Sequence, residues 1–156
     1  MIFTPTHTPQ RGFALLIAVI LSAVSLTLAV SLLDIAYKQV VLAGTAKQSQ
    51  EAFYVSDTAM ECALYYDQQL DAFNYTTPLA SGSITCHGRA ISGYSSTVAS
   101  GRRTTSFSVT CPGSGTDSLI QVYKQSTAST TIYATGYSSC DANDPRRIER
   151  GFKVFY

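Results

Sequence analysis

The chain has 156 residues, 11 Lys and Arg against 10 Asp and Glu, a formal charge of +1, and no Trp. That length holds one domain of ordinary size plus an accessory segment, not two full domains. The balance of charge is unevenly placed: residues 34–71 carry two basic and six acidic side chains, and residues 72–156 carry eight basic and four acidic ones. The near-neutral total therefore conceals an acidic stem and a mildly basic body.

Residues 1–12 form a short polar leader whose one charge is Arg11. An apolar run follows from Phe13 to Leu33, with no charged residue before Asp34. About 20 apolar residues span a hydrocarbon core of about 30 Å as a helix. A secretory signal has a shorter apolar region, about 7–15 residues, followed by a small-residue cleavage site. A buried helix of a soluble protein would show a polar stripe. Here Ser22, Ser25, Thr27 and Ser31 are the only polar residues, and their hydroxyls can bond back to the helix backbone. The run reads as a membrane-spanning helix over 13–33. Arg11 on one side and Lys38 and Lys47 on the other give the positive-inside rule little to act on.

Beyond Asp34 the helical period continues with a polar face added. Ala52, Ser56, Ala59/Met60 and Ala63/Leu64 recur at three- and four-residue steps, while Glu51, Asp57, Glu61 and Asp67 fall largely elsewhere. No proline interrupts 13–71, and Gly44 is the only glycine there. One helix from Phe13 to Asp71 would be roughly 87 Å long at 1.5 Å per residue. Its amphipathic half, 34–71, needs a partner surface.

From Asn74 the composition turns to strand and turn residues, punctuated by Pro78, Gly82, Gly88 and Gly93. Ser83–Cys86 is a weak strand. Phe107, Val109 and Cys111 alternate with Ser and Thr, as do Ile120 and Val122 with polar neighbours. Ile132, Ala134 and Gly136 share a face, and Ile148, Phe152, Val154 and Tyr156 share a parity. This period of two predicts an antiparallel sheet with one buried face over 72–156. Gly88–Arg103 reads as a loop or irregular strand, and 112–117 and 141–145 as turns. The expected fold is α+β: a long amino-terminal helix, membrane-spanning in its first part, whose outer half packs Phe53, Met60 and Leu64 on a small antiparallel sheet.

Cys62, Cys86, Cys111 and Cys140 are an even, widely spaced set beyond the apolar run. They suggest disulfides in an oxidising compartment, the alternative being four free buried thiols. Four cysteines allow three pairings. Cys86 and Cys111 each end an S-x-T-C run, which favours Cys86–Cys111 with Cys62–Cys140.

The leader ending in Arg11-Gly12, followed by Phe13 and an apolar helix, resembles the class III signal of type IV pilins and pseudopilins. "AFYVSDTAMECALYYD" (52–67) is similar to the stem of PilX-type minor pilins, and "GYSSCDANDPRRIERGFKVFY" (136–156) to their terminal hairpin. The resemblance covers the helix and the last two strands; 72–118 carries no recognised motif. It implies a pilin-like fold and cleavage by a prepilin peptidase between Gly12 and Phe13 on the cytoplasmic side, with N-methylation of Phe13. It also implies a life in the cytoplasmic membrane with the sheet outside, followed by assembly with other pilin or pseudopilin subunits through the helix. Most major pilins place Glu at the fifth mature position, where this chain has Ile17. Without that carboxylate a charge-assisted contact to a neighbouring amino terminus is missing. The resemblance thus implies an initiating, tip or accessory subunit of a type IV pilus or type II secretion-like filament. A single-pass anchored binding or adhesion protein that never assembles is the competing expectation.

Catalytic chemistry is not expected. Two histidines occur, His7 in the leader and His87 beside Cys86, and no nucleophile elbow, zinc-protease or phosphate-loop motif is present. The cysteine spacing argues against zinc. Asp141, Asn143 and Asp144 could hold calcium, although a plain turn is the simpler reading. No cofactor is expected. Arg102-Arg103 and Arg146-Arg147 raise the question of DNA or another surface ligand, against the plainer reading of solvated arginines.

Overall fold

The computed structural model describes residues 11–112, 115–126 and 129–156. One helix, α1 (Arg11–Leu70), precedes six strands: β1 (Thr85–Cys86), β2 (Arg89–Ala99), β3 (Arg102–Thr110), β4 (Thr116–Gln125), β5 (Thr130–Tyr137) and β6 (Glu149–Phe155). The fold is α+β. The chain divides into two compact units between Ala43 and Gly44.

In the first unit α1 is apolar all round from Phe13 to Leu33. Every large apolar side chain from Phe13 to Leu42 is exposed, between 41% at Ile17 and 71% at Tyr37 and Val40. This stretch is long and apolar enough to cross a membrane.

In the second unit the same helix becomes amphipathic and covers a sheet. Ala52, Ser56, Ala59, Met60 and Ala63 are buried, as the three- and four-residue spacing predicts. The helix ends at Asp71, which takes a left-handed φ of 46°. Its N–H donates to the carbonyl of Asp67, and that of Ala72 to Tyr66. Asn74 then folds the exit: its side-chain oxygen accepts from the Thr76 and Thr77 amides.

The strands form a simple antiparallel meander in the order β1-β2-β3-β4-β5-β6. Alternation sets the buried face: Thr105, Phe107 and Val109 on β3, Ser118, Ile120 and Val122 on β4, and Thr130, Ile132, Ala134 and Gly136 on β5. Phe73 and Phe107 stack at 5.7 Å between centroids, with Ile84 and Cys86 in the same core. Gly136 marks the closest approach of helix and sheet. A Cβ there would collide with Ser56 N and lie 2.9 Å from Ser56 Cα.

The structure revises several expectations. Gly88–Arg103 is mostly a full strand, the 11-residue β2, irregular where the register shifts between Ser92 and Ser95 around Gly93 (φ 62°). Two-residue turns bound it, His87-Gly88 (φ 55°, 71°) and Ser100-Gly101 (φ 51°, 72°), the positive-φ pairs that close tight hairpins. Of the three stem residues expected under the sheet, Met60 is buried and Leu64 partly so. Phe53 stays 46% exposed and touches the sheet edge-on through Phe152, 5.0 Å between centroids. Asp67, expected on the polar face, is 5% exposed.

Candidate functional site

Gly12 and Phe13 lie in the first turn of α1. Nothing crowds Gly12 within 4 Å, and Phe13 is 66% exposed. The first ten residues of the leader, His7 among them, lie outside the described residues. Within the apolar run every hydroxyl is satisfied by its own helix. Ser22 donates to the Val19 carbonyl (2.9 Å), Ser25 to Leu21 (2.8 Å), Thr27 to Val24 (2.8 Å) and Ser31 to Thr27 (2.9 Å). Back-bonded hydroxyls cost little in hydrocarbon, because no polar group is left unpaired. The first charges beyond the run, Asp34 and Lys38, neutralise each other at 2.7 Å one helical turn apart.

The four cysteines form two disulfides, but in the pairing Cys62–Cys86 and Cys111–Cys140. This corrects the expectation of Cys86–Cys111 with Cys62–Cys140. Cys86 on β1 faces the core beneath α1, so its near neighbour is Cys62 on the helix, with Cα atoms 5.8 Å apart. Cys111, just past β3, lies beside the turn after β5, where Cys140 is 6.1 Å away between Cα atoms. Gly115 packs against Cys140: a Cβ there would strike the Cys140 carbonyl, and its φ is +92°.

The arginine pairs are used within the fold to different degrees. Arg103 donates to the carbonyls of Tyr75 (2.7 Å) and Thr76 (3.4 Å) and to Ser96 Oγ (2.9 Å). Arg147 lies over the Tyr137 ring at 3.8 Å and donates to the Thr116 carbonyl at 3.2 Å. Arg102 leans on Tyr123, 4.9 Å from its ring centre, and Arg146 is exposed. The 141–145 turn spends its carboxylates on backbone: Asp141 Oδ1 accepts from the Asn143 amide (2.8 Å) and Asp144 Oδ1 from that of Arg146 (2.9 Å). These are Asx turns.

His87 shares a small cleft with Arg89, Asp117 and Ser118. Arg89 bonds Asp117 Oδ2 at 2.9 Å, and Ser118 Oγ donates to Asp117 Oδ1 at 3.0 Å. The serine proton thus points to the carboxylate rather than to the imidazole, the reverse of a nucleophile–base pair.

Sequence reasoning missed a buried polar cluster at the end of α1. Asp67 accepts from Lys124 Nζ (2.8 Å) and from the Tyr156 hydroxyl (2.7 Å), and Lys124 also reaches Asp71 (3.0 Å). The Asp67 side chain is 2% exposed and that of Lys124 15%. Asn74 and Lys124 hold the Asp71 carboxyl below the usual range. Burial pushes the Lys124 ammonium down, but its bonds to Asp67 and Asp71 outweigh this and raise it. Burial first, then the Asp67 carboxylate, push the Tyr156 hydroxyl well up. A signal existed: Asp67 continues the Met60, Ala63 spacing on the inner face.

No family model matches the chain, and no curated protein or solved structure does.

Proposed function

We propose that the chain is a minor pilin or pseudopilin, a structural subunit of a type IV pilus or type II secretion-like filament. The observation that carries this reading is the exposure of every large apolar side chain from Phe13 to Leu42, on a helix that begins at the Arg11-Gly12-Phe13 junction. Such a surface is stable only against lipid or against other apolar helices. Before assembly it sits in the cytoplasmic membrane. In a filament the same residues pack against neighbouring helices, with Ala18, Ser22, Ala23, Ser25 and Ala29 permitting close approach.

A prepilin peptidase cuts between Gly12 and Phe13, and Phe13 is then N-methylated. The two disulfides suit a sheet domain on the oxidising side. Ile17 stands where a carboxylate would register the new amino terminus, so the subunit takes an initiating, tip or accessory position rather than a repeating one. The role is structural, with no catalysis and no cofactor.

Mass spectrometry of the mature amino terminus, on protein from its native membrane, tests this. N-methyl-Phe13 is the expected terminus. An intact Met1, or a cut at the outer end of the span, would overturn the proposal.

A further inference from the structure

The face of the sheet turned away from α1 carries a second arrangement. Its outward positions on β4–β6 fall into two adjacent rows: Gln121 beside Tyr133 and Lys153, and Tyr123 beside Thr131 and Phe155. Arg102 lies 4.9 Å from the Tyr123 ring centre, Tyr123 meets Tyr133 edge-on at 5.6 Å, and Lys153 Nζ lies 5.3 Å from the Tyr133 ring centre. Between Arg102 and Tyr133 runs a shallow cleft of about 360 Å³, whose floor is completed by Gln121, Gln125 and Thr131. That volume lies within the range of small-ligand sites. Phe155 is 68% exposed at its margin.

The charge on this patch is of one sign. Around these two rows stand Arg102, opposite Gln125, and Lys153, and among the described residues no side-chain carboxylate. Lys124, on the same strand as Tyr123, points to the opposite face, where Asp67 and Asp71 take it. Glu149 pairs with Tyr137 at the far end of the sheet. Arg102 and Lys153 instead rest on aromatic rings, which hold a cation in place while leaving its donors for a ligand.

We infer that this end of the outer sheet face binds an anionic polysaccharide. Arg102 and Lys153 meet its acid groups, the Gln121, Gln125, Thr131 and Tyr133 polar groups bond its hydroxyls, and the exposed Phe155 ring packs on its C–H groups. A single-stranded nucleic acid is the less suited ligand, because base stacking needs free aromatic faces. Here Tyr123 and Tyr133 each carry a cation on the ring and meet each other edge-on, which leaves no stacked platform of two free faces. The inference goes beyond filament assembly and holds whether or not the chain assembles.

Calorimetric titration of the full chain in detergent micelles tests it. The probes are alginate oligosaccharides (carboxylate), heparin oligosaccharides (sulfate), neutral dextran and oligo-dT. At least one anionic sugar is expected to bind in a salt-sensitive manner, and which one binds identifies the acid group. Dextran is expected not to bind. Combining Arg102→Gln with Lys153→Gln should weaken binding at least tenfold while leaving the melting temperature unchanged, and Tyr133→Ala should weaken it similarly. Both cations are exposed and outside the core, so the double variant decides the matter even if Tyr133→Ala is unstable. Failure of both anionic sugars to bind, tighter binding of oligo-dT, equal binding of dextran, or full binding by the double variant would overturn the inference.

Discussion

The same helix is two different objects on either side of Gly44. In 13–42 its large apolar side chains all face outward, and its serine and threonine hydroxyls turn back on its own carbonyls. In 44–70 it buries alanines, Ser56 and Met60 against the sheet and turns Glu51, Asp57 and Glu61 to solvent. Secondary structure is common to both stretches, but what stabilises it is not. The first draws on the surrounding medium, the second on tertiary packing within one unit. A change inside the second unit should therefore register in its unfolding, and a comparable change in the first should not.

The largest effect is expected where helix and sheet backbones nearly touch. Gly136→Val places side-chain atoms where Ser56 and Ala52 already stand, and neither is a flexible side-chain end that could swing aside. Overpacking commonly costs about 1–3 kcal/mol, and against backbone the loss should reach or exceed about 3 kcal/mol. Thermal unfolding followed by near-UV circular dichroism reads it. A shift of only a degree or two would mean that α1 is less tightly docked than the geometry states.

Next in size is the Cys62–Cys86 bridge, which ties α1 to the first hairpin across 24 residues. Replacing both cysteines by serine should cost about 3 kcal/mol by the loop-entropy relation. Denaturant unfolding measures it, and peptide mapping under non-reducing conditions should recover the Cys62–Cys86 and Cys111–Cys140 pairs.

The disulfides also show where sequence stops being legible. The apolar run, the inner face of the stem and the strands from β3 onward carry strong local periodicity, so both their type and their buried side could be read directly. Pairing of cysteines is a property of distance in space. The matching S-x-T-C runs made Cys86 and Cys111 look like neighbours, whereas β2 and β3 separate them along the chain and each meets a different partner. β2 was obscured for another reason. Its Ser, Gly and Thr suggest a loop, and only the His-Gly and Ser-Gly turns that flank it point to hairpins. The Asp67–Lys124–Tyr156 cluster is hard to read from sequence because a carboxylate on an amphipathic stem is ordinarily exposed. Asp67 stands on the inner stripe, and its burial is tolerable because Lys124 and the Tyr156 hydroxyl meet it there.

That cluster gives the second unit a pH signature. The fold holds Lys124 and Tyr156 protonated, so above about pH 10 the folded chain binds more protons than the unfolded one and stability falls as pH rises. Asp71 is held ionised, so its contribution is present above about pH 4 and is lost as pH falls below that. Tyr156→Phe should cost about 1.5 kcal/mol near neutrality, the value of a hydrogen bond to a charged group. It should also shrink the alkaline decline, leaving Lys124 as the remaining contributor in this cluster. Melting temperature measured across pH distinguishes the two forms. An unchanged alkaline limb would show that Tyr156 is not the group holding its proton there.

Gly44→Ala is the mildest change and the sharpest probe of the boundary. A Cβ at this position meets nothing within 4 Å, and the residue lies inside a continuous helix. Alanine should therefore favour the local helix by about 1 kcal/mol, or roughly fivefold in a local opening equilibrium. Hydrogen exchange over residues 41–48 reads that directly and should slow by about this factor. If the two units unfold separately, the melting temperature of the sheet unit should not move with it. A parallel rise in both would mean that the helix transmits order across Gly44, so that whatever fixes the apolar stretch, lipid or a neighbouring helix, also stabilises the sheet.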